Sequence, residues 1–160
     1  MAFDSLQEVA QYTKFFREVF DSTIVAVSGH FNPLHLGHIR YIQAAKALGW
    51  QVVVIVNNDR QVALKGSVPF MPEGDRLEIV KNIRDVWYAV LSIDEDLSVC
   101  RTLEVLQPTV FANGGDVGSE ADCREGDVCR RLGIRMKFGV GGTEKLRSSS
   151  ELIRRAVSPR

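Results

Sequence analysis

Ile24-Val25-Ala26-Val27-Ser28-Gly29-His30-Phe31-Asn32-Pro33-Leu34-His35-Leu36-Gly37-His38 decides the fold. Four consecutive apolar residues, Ile24 to Val27, suit a strand buried on both faces. Ser28 to Pro33 contains glycine, asparagine and proline, the residues of a tight turn. A helical pattern opens at Leu36 and runs to Leu48, and Gly49 ends it. His35 and His38, three residues apart, share one helix face. They stand at the helix N-terminus, where unbonded backbone N–H groups and the helix dipole favour an anion. Strand, tight turn and paired histidines at a helix start make a holder for a polyphosphate. Zinc is the rival use of such histidines, but it calls for further ligands, and Cys100, Cys123 and Cys129 lack CxxC spacing.

Outward from this stretch, apolar runs and helical patterns alternate. Strands are expected at 51–56, 86–91, 109–112 and 134–138, and helices at 36–48, 72–84, 99–106, 120–132 and 148–156. Such alternation predicts a Rossmann-like, doubly wound α/β fold with a mainly parallel five-stranded sheet and right-handed crossovers. Ligands bind such sheets at the carboxyl ends of the strands. Residues 4–20 form an additional amphipathic N-terminal helix, with Leu6, Val9, Phe16, Val19 and Phe20 along a stripe. The chain thus divides into an N-terminal helical extension, 1–22, and a main domain, 23–160. The extension is expected to pack on that domain or on a second subunit.

The chain's 160 residues suit one such domain, and 45% hydrophobic with 25% charged residues is ordinary for a globular protein. Twenty basic residues balance twenty acidic ones, so neither nucleic acid nor an anionic membrane is expected as a partner, and an anion site must be local. Three unpatterned cysteines, no signal peptide and no membrane-spanning run make the cytoplasm the expected compartment.

Four segments should meet at the carboxyl edge of the sheet. The first is 29–38, where Gly29 permits the turn and Gly37 lets a ligand approach the backbone. It is neither GxGxxG nor a Walker A loop. The second is the loop 57–76, with Lys65 as a mobile charge and Arg76 as a planar fork for phosphate. The third is Asn113-Gly114-Gly115-Asp116, whose glycines turn N–H groups to a ligand and whose carboxylate suits a ribose hydroxyl or a metal-bound water. The fourth is Arg147-Ser148-Ser149-Ser150-Glu151, where Ser148 and Glu151 fit a capping box and the hydroxyls suit phosphate oxygens. Taken singly, the second segment reads as a solvated loop, the third as a turn and the fourth as a cap.

Together, Gly29-His30-Phe31-Asn32-Pro33-Leu34-His35-Leu36-Gly37-His38, Leu64-Lys65-Gly66, Arg76, the Gly-Gly-Asp loop and the serine-rich helix start resemble the cytidylyltransferase-like nucleotidyltransferases. The resemblance covers 23–157. It is strongest to heptose-1-phosphate adenylyltransferase and glycerol-3-phosphate cytidylyltransferase, and the LKG and GGD strings favour the former. Asn32 departs from the aspartate usual in both groups, and it cannot act as an anionic metal ligand.

The resemblance implies transfer of NMP from ATP or CTP to the phosphate of a small sugar- or polyol-phosphate, with release of pyrophosphate. The product would be an activated nucleotide-sugar or alditol for cell-surface glycan or lipid synthesis. His35, His38, Lys65 and Arg76 take catalytic roles, His35 and His38 on the phosphates and Arg76 as a clamp on acceptor or triphosphate. Gly29, His30, Phe31, Asn32, Gly37, Asn113, Gly114, Gly115, Asp116, Arg147, Ser148, Ser149 and Ser150 bind the nucleotide. Mg²⁺ is expected to ride on the triphosphate, with no protein ligand assigned to it. A homodimer is also implied. The alternatives are an adenylyltransferase of cofactor synthesis, acting on nicotinamide mononucleotide, FMN or phosphopantetheine, and a nucleotide-binding module without turnover.

Overall fold

The computed structural model describes residues 5–115, 117–142 and 148–158. Within them the elements run α1 (Leu6–Phe20), β1 (Ile24–Gly29), α2 (Leu36–Lys46), β2 (Gln51–Val56), α3 (Asp59–Leu64), α4 (Glu73–Lys81), β3 (Val86–Leu91), α5 (Cys100–Leu106), β4 (Val110–Ala112), a 3₁₀ turn (Glu120–Asp122), α6 (Gly126–Leu132), β5 (Arg135–Lys137) and α7 (Ser149–Val157). The strands form one sheet in the order β3-β2-β1-β4-β5. All four pairings are parallel, β1 on β2 running from Ile24 beside Gln51 to Gly29 beside Val56. This is the expected doubly wound α/β fold, with an all-parallel sheet where a mainly parallel one was predicted.

The apolar runs explain the layering. Successive strand side chains point to opposite faces. Ile24, Ala26, Val53, Ile55 and Phe111 therefore join one core with Leu103 and Leu106 of α5 and Cys129 of α6. Val25, Val27, Val52, Val54 and Val110 join the other with Ile42 and Ala45 of α2 and Val80 of α4. Full burial of each such side chain contributes about 1.5–3 kcal/mol. Helix α1 is built into the first core through Leu6 and Val9. A capping box opens it, Glu8 N–H donating to Ser5 Oγ at 3.3 Å and Ser5 N–H to Glu8 Oε2 at 3.1 Å.

Two elements depart from the sequence expectation. The predicted helix 120–132 is broken, because Cys123 is extended (φ −97°, ψ 119°) and Glu125 turns inward to accept the N–H of Val99 at 2.9 Å. Holding the residue before α5 with a side chain from this segment interrupts the helix. The predicted loop after β2 contains α3, which is closed at its start by a reciprocal pair. Gln61 N–H donates to Asn58 Oδ1 at 2.9 Å, and Asn58 N–H donates to Gln61 Oε1 at 3.1 Å. Asn58-x-x-Gln61 is a capping signature that was legible in the sequence.

Candidate active site

The sheet order reverses direction at β1, which lies between β2 and β4. Crevices open at such switch points, beyond the carboxyl ends of the strands. A cavity of about 830 Å³ lies there. Its lining includes Gly29, His30, Asn32, His35, Gly37, His38, Lys65, Asn113, Gly114, Gly115, Ser148, Ser149 and Ser150. Fourfold convergence of distant segments is thus a property of the fold. Asp116 and Arg147 lie outside the described residues.

The β1–α2 turn is shaped around Phe31. A Cβ on Gly29 would come within 2.9 Å of the Phe31 ring, so glycine is what lets that ring fold inward. Phe31, with φ +49°, is buried and sits 4.8 Å from the His38 ring. Phe31 was predicted to bind nucleotide. It does not line the cavity; it supports His38 from behind, because a ring this size is best accommodated in the core.

His35 is the N-cap of α2. Its Nδ1 accepts the N–H of Gly37 at 3.1 Å, and His38 Nδ1 accepts the N–H of His35 at 3.2 Å. The two rings stack with centroids 3.8 Å apart. Because both Nδ1 atoms accept, the neutral rings carry their protons on Nε2. Burial is the main cause that lowers His38 from 6.5 to about 3, with His35, His30 and Lys65 adding repulsion of a second charge. His30 is lowered to about 4, first by burial, then by Lys65 and Arg76, while a backbone contact with Gln61 opposes the shift. Its Nε2 is buried without a hydrogen-bond partner among the described residues. His38 is therefore a neutral donor at physiological pH.

Arg76 requires correction. Predicted as a phosphate clamp, it is 1% exposed and does not line the cavity. Its guanidinium donates to the carbonyls of Met71 at 3.1 Å and of His30 and Asn57 at 2.6 Å each, and pairs with Asp59 at 2.6 Å. The planar fork that suits phosphate equally suits several backbone carbonyls. Arg76 thus joins the turn after β1, the end of β2 and the start of α3. Asn32 also works on a loop: its Nδ2 donates to the Val68 carbonyl at 2.9 Å, and its Oδ1 accepts the Phe70 N–H. Among the described residues no group of three or more His, Cys, Asp or Glu side chains is placed to hold a metal. Asn32, committed to the loop, offers no carboxylate to a metal.

At the far side of the cavity, Ser148 caps α7 by accepting the Glu151 N–H at 3.1 Å, and Ser149 Oγ donates to the Pro33 carbonyl at 2.8 Å. These bonds bring the α7 start against the β1–α2 turn. Tyr41, Gly141, Gly142 and Arg154 also line the cavity and were missed in the sequence. Gly141 has φ +89°, and a Cβ there would stand 3.0 Å from Tyr41 Cα, so that position excludes other residues. Glycines directly after a strand pattern were the available signal for 141–142. For Arg154 the signal was its place one turn after Ser150, on the same helix face. Lys65 and Arg154 both supply cations to the cavity lining.

Comparison with known proteins agrees with this geometry. Residues 26–155 match the protein family described as Cytidylyltransferase-like. The chain is 36% identical over 115 residues to the FAD synthase of Pyrococcus abyssi, covering 71% of this chain and 76% of that one. It is also 36% identical over 140 residues to the bifunctional protein HldE of Streptomyces coelicolor, where it spans 84% of its own length but 28% of HldE. A lipopolysaccharide core biosynthesis protein from Thermoplasma volcanium superposes with a TM-score of 0.63 at 30% identity, over 73% of this chain and 93% of that one. A stacked histidine pair, a serine-capped helix and a glycine-lined cavity at one switch point, with a family match over this same region, lead to one conclusion: the chain belongs to the cytidylyltransferase-like family and is a nucleotidyltransferase.

Proposed function

We propose that this enzyme transfers NMP from ATP or CTP to the phosphate of a small sugar- or polyol-phosphate. An acceptor phosphate oxygen attacks the α-phosphorus, a new P–O bond forms, the α–β bridge breaks and pyrophosphate leaves. The nucleophile is already anionic, so no general base is needed. The residues then position the reactants and offset charge that grows toward the leaving group.

The observation that carries this reading is the stacked His35–His38 pair, locked by reciprocal caps beside the α7 N-terminus in one cavity. Nε2–H groups on both rings serve as fixed donors to phosphate oxygens. Ser148, Ser150 and the α7 backbone take the β- and γ-phosphates. The glycine-lined side, Gly114, Gly115, Gly141 and Gly142, leaves flat space for base and ribose. The remaining side, with Asn32, Lys65 and Ser67, is polar and suits a phosphate bearing hydroxyls. Mg²⁺ enters with the triphosphate, and no step here is routed through it.

His38→Ala tests the assignment. Loss of one such donor lowers kcat about 10²- to 10³-fold with little change in the KM for nucleotide. Pyrophosphate release is the measurement, and full activity of the variant would sink the reading.

One observation favours a second acceptor. Val68 and Phe70 are 79% and 67% exposed beside the cavity, on the loop that Asn32 tethers. A tethered loop presenting apolar side chains suits a planar acceptor such as FMN, and FAD synthases are among the relatives. Pyrophosphate assays with ATP and CTP, each against glycerol 3-phosphate, heptose 1-phosphate and FMN, separate the two acceptors.

A further inference from the structure

One buried ring of the cavity takes no part in gripping phosphate. His30 lines the cavity together with Lys65. Its backbone is fixed, since its carbonyl accepts the Arg76 guanidinium at 2.6 Å. A neutral imidazole has one donor nitrogen and one acceptor nitrogen. The Gln61 backbone raises the proton affinity of this ring, as a carbonyl does and an N–H would not. The Gln61 N–H is in any case given to Asn58 Oδ1 at 2.9 Å. Nε2 is buried and has no partner among the described residues, so the ring N–H that faces the Gln61 carbonyl is on Nδ1. Nε2 is left with a lone pair. Burial first, then the charges of Lys65 and Arg76, keep the ring neutral down to about pH 4.

A buried lone pair calls for a donor. Phosphate oxygens are anionic acceptors and do not supply one. His38 and His30 therefore have opposite polarity in one cavity, an Nε2–H for phosphate and a bare Nε2 for a donor. The topology decides which substrate brings that donor. Strand β1 lies between β2 and β4. The His30 ring meets Gln61 of α3, which follows β2, whereas Gly114, Gly115 and Gly141 follow β4 and β5. His30 thus stands on the Lys65 side, away from the flat space for base and ribose. On a phosphorylated acceptor held by Lys65, the nearest donor is a hydroxyl on the carbon next to the phosphorylated one. Glycerol 3-phosphate, heptose 1-phosphate and FMN each carry it. Nicotinamide mononucleotide has a ring oxygen at that carbon, and phosphopantetheine has two methyl groups.

We propose that His30 Nε2 selects the acceptor by taking a hydrogen bond from the hydroxyl adjacent to its phosphate, so that the acceptor is a vicinal phospho-alcohol. This rests on the nucleotidyl-transfer reading of the cavity and holds for a sugar phosphate, a polyol phosphate or FMN.

The test measures pyrophosphate release with ATP and with CTP. Glycerol 3-phosphate, heptose 1-phosphate and FMN are each compared with the same compound lacking that hydroxyl: 3-hydroxypropyl phosphate, 2-deoxyheptose 1-phosphate and 4′-deoxy-FMN. At least one of the first three is turned over, with kcat/KM about tenfold or more above its deoxy partner. His30→Phe keeps a ring without an acceptor atom and brings the two within about threefold. It does so by raising KM for the hydroxylated acceptor, with KM for the nucleotide unchanged. His30→Gln, whose Oε1 can stand in for Nε2, keeps a preference above about threefold. Circular dichroism melts confirm that each variant folds. A wild type that uses the deoxy partner equally well overturns the inference, whatever the variants do. So does a His30→Phe that slows both partners alike, the mark of a structural ring. A His30→Phe penalty that disappears with 2′-deoxy-ATP or 2′-deoxy-CTP places the hydroxyl on the nucleotide and overturns it too. Turnover of nicotinamide mononucleotide or phosphopantetheine in place of the three overturns it while leaving nucleotidyl transfer intact. Release with none of these acceptors overturns both.

Discussion

His38 shows how a backbone cap sets the chemistry of a ring. Accepting the His35 N–H with Nδ1 orients the imidazole, and burial keeps it neutral down to about pH 3. The same burial makes stability depend on pH. The folded-state values of His30 and His38, about 4 and about 3, lie below the ordinary 6.5. Between these values the unfolded chain binds protons that the native protein does not, so stability rises with pH through this window. Acidification from about pH 7 toward 4 should lower the melting temperature, and His38→Gln should flatten that slope. An unchanged slope would mean that these rings are not buried neutral. Lowering of these values also predicts that neither ring shapes the activity profile between about pH 6 and 8.

Among the elements, Arg76 is the main joint. It reaches from α4 to the carbonyls of His30 and Asn57 and to Asp59, so three segments of the catalytic edge depend on it. Arg76→Ala leaves buried carbonyls without donors and should destabilise the protein by about 3 kcal/mol or more. Denaturant unfolding measures this. Arg76→Lys should recover only part of it, since an ammonium lacks the planar fork. A variant as stable as wild type but unable to bind nucleotide would return Arg76 to the role of phosphate clamp. Sequence could not distinguish the two roles, because guanidinium chemistry serves carbonyls and phosphates alike. The break in the 120–132 helix was hidden for a similar reason: Glu125 is compatible with a helix, and its inward turn answers to α5, distant in the chain.

For the molecule as a whole, nucleotide should act as a bridge. Helix α7 has no buried residue and is tied to the β1–α2 turn by Ser149 on Pro33. A triphosphate held by both would lock α7 to the sheet. At a hundredfold excess over Kd, a nucleotide stabilises the native state by about 2.7 kcal/mol. Thermal shift with ATP and CTP separately should therefore reveal the preferred base, and no shift with either would count against the site. The strands, the parallel winding and the histidine pair were legible in the chain because they rest on local patterns: apolar runs, turn residues and helix-start spacing. Most of the cavity was legible too, since each segment follows a strand whose carboxyl end must face the same edge. Folding in three dimensions assigned what distant partners control. It turned Phe31 inward behind His38, used Arg76 on backbone carbonyls, set Asn32 to hold the 67–70 loop and brought Arg154 to the cavity. Periodicity records which face of an element is apolar; which buried polar group finds which partner depends on contacts between segments far apart in the chain.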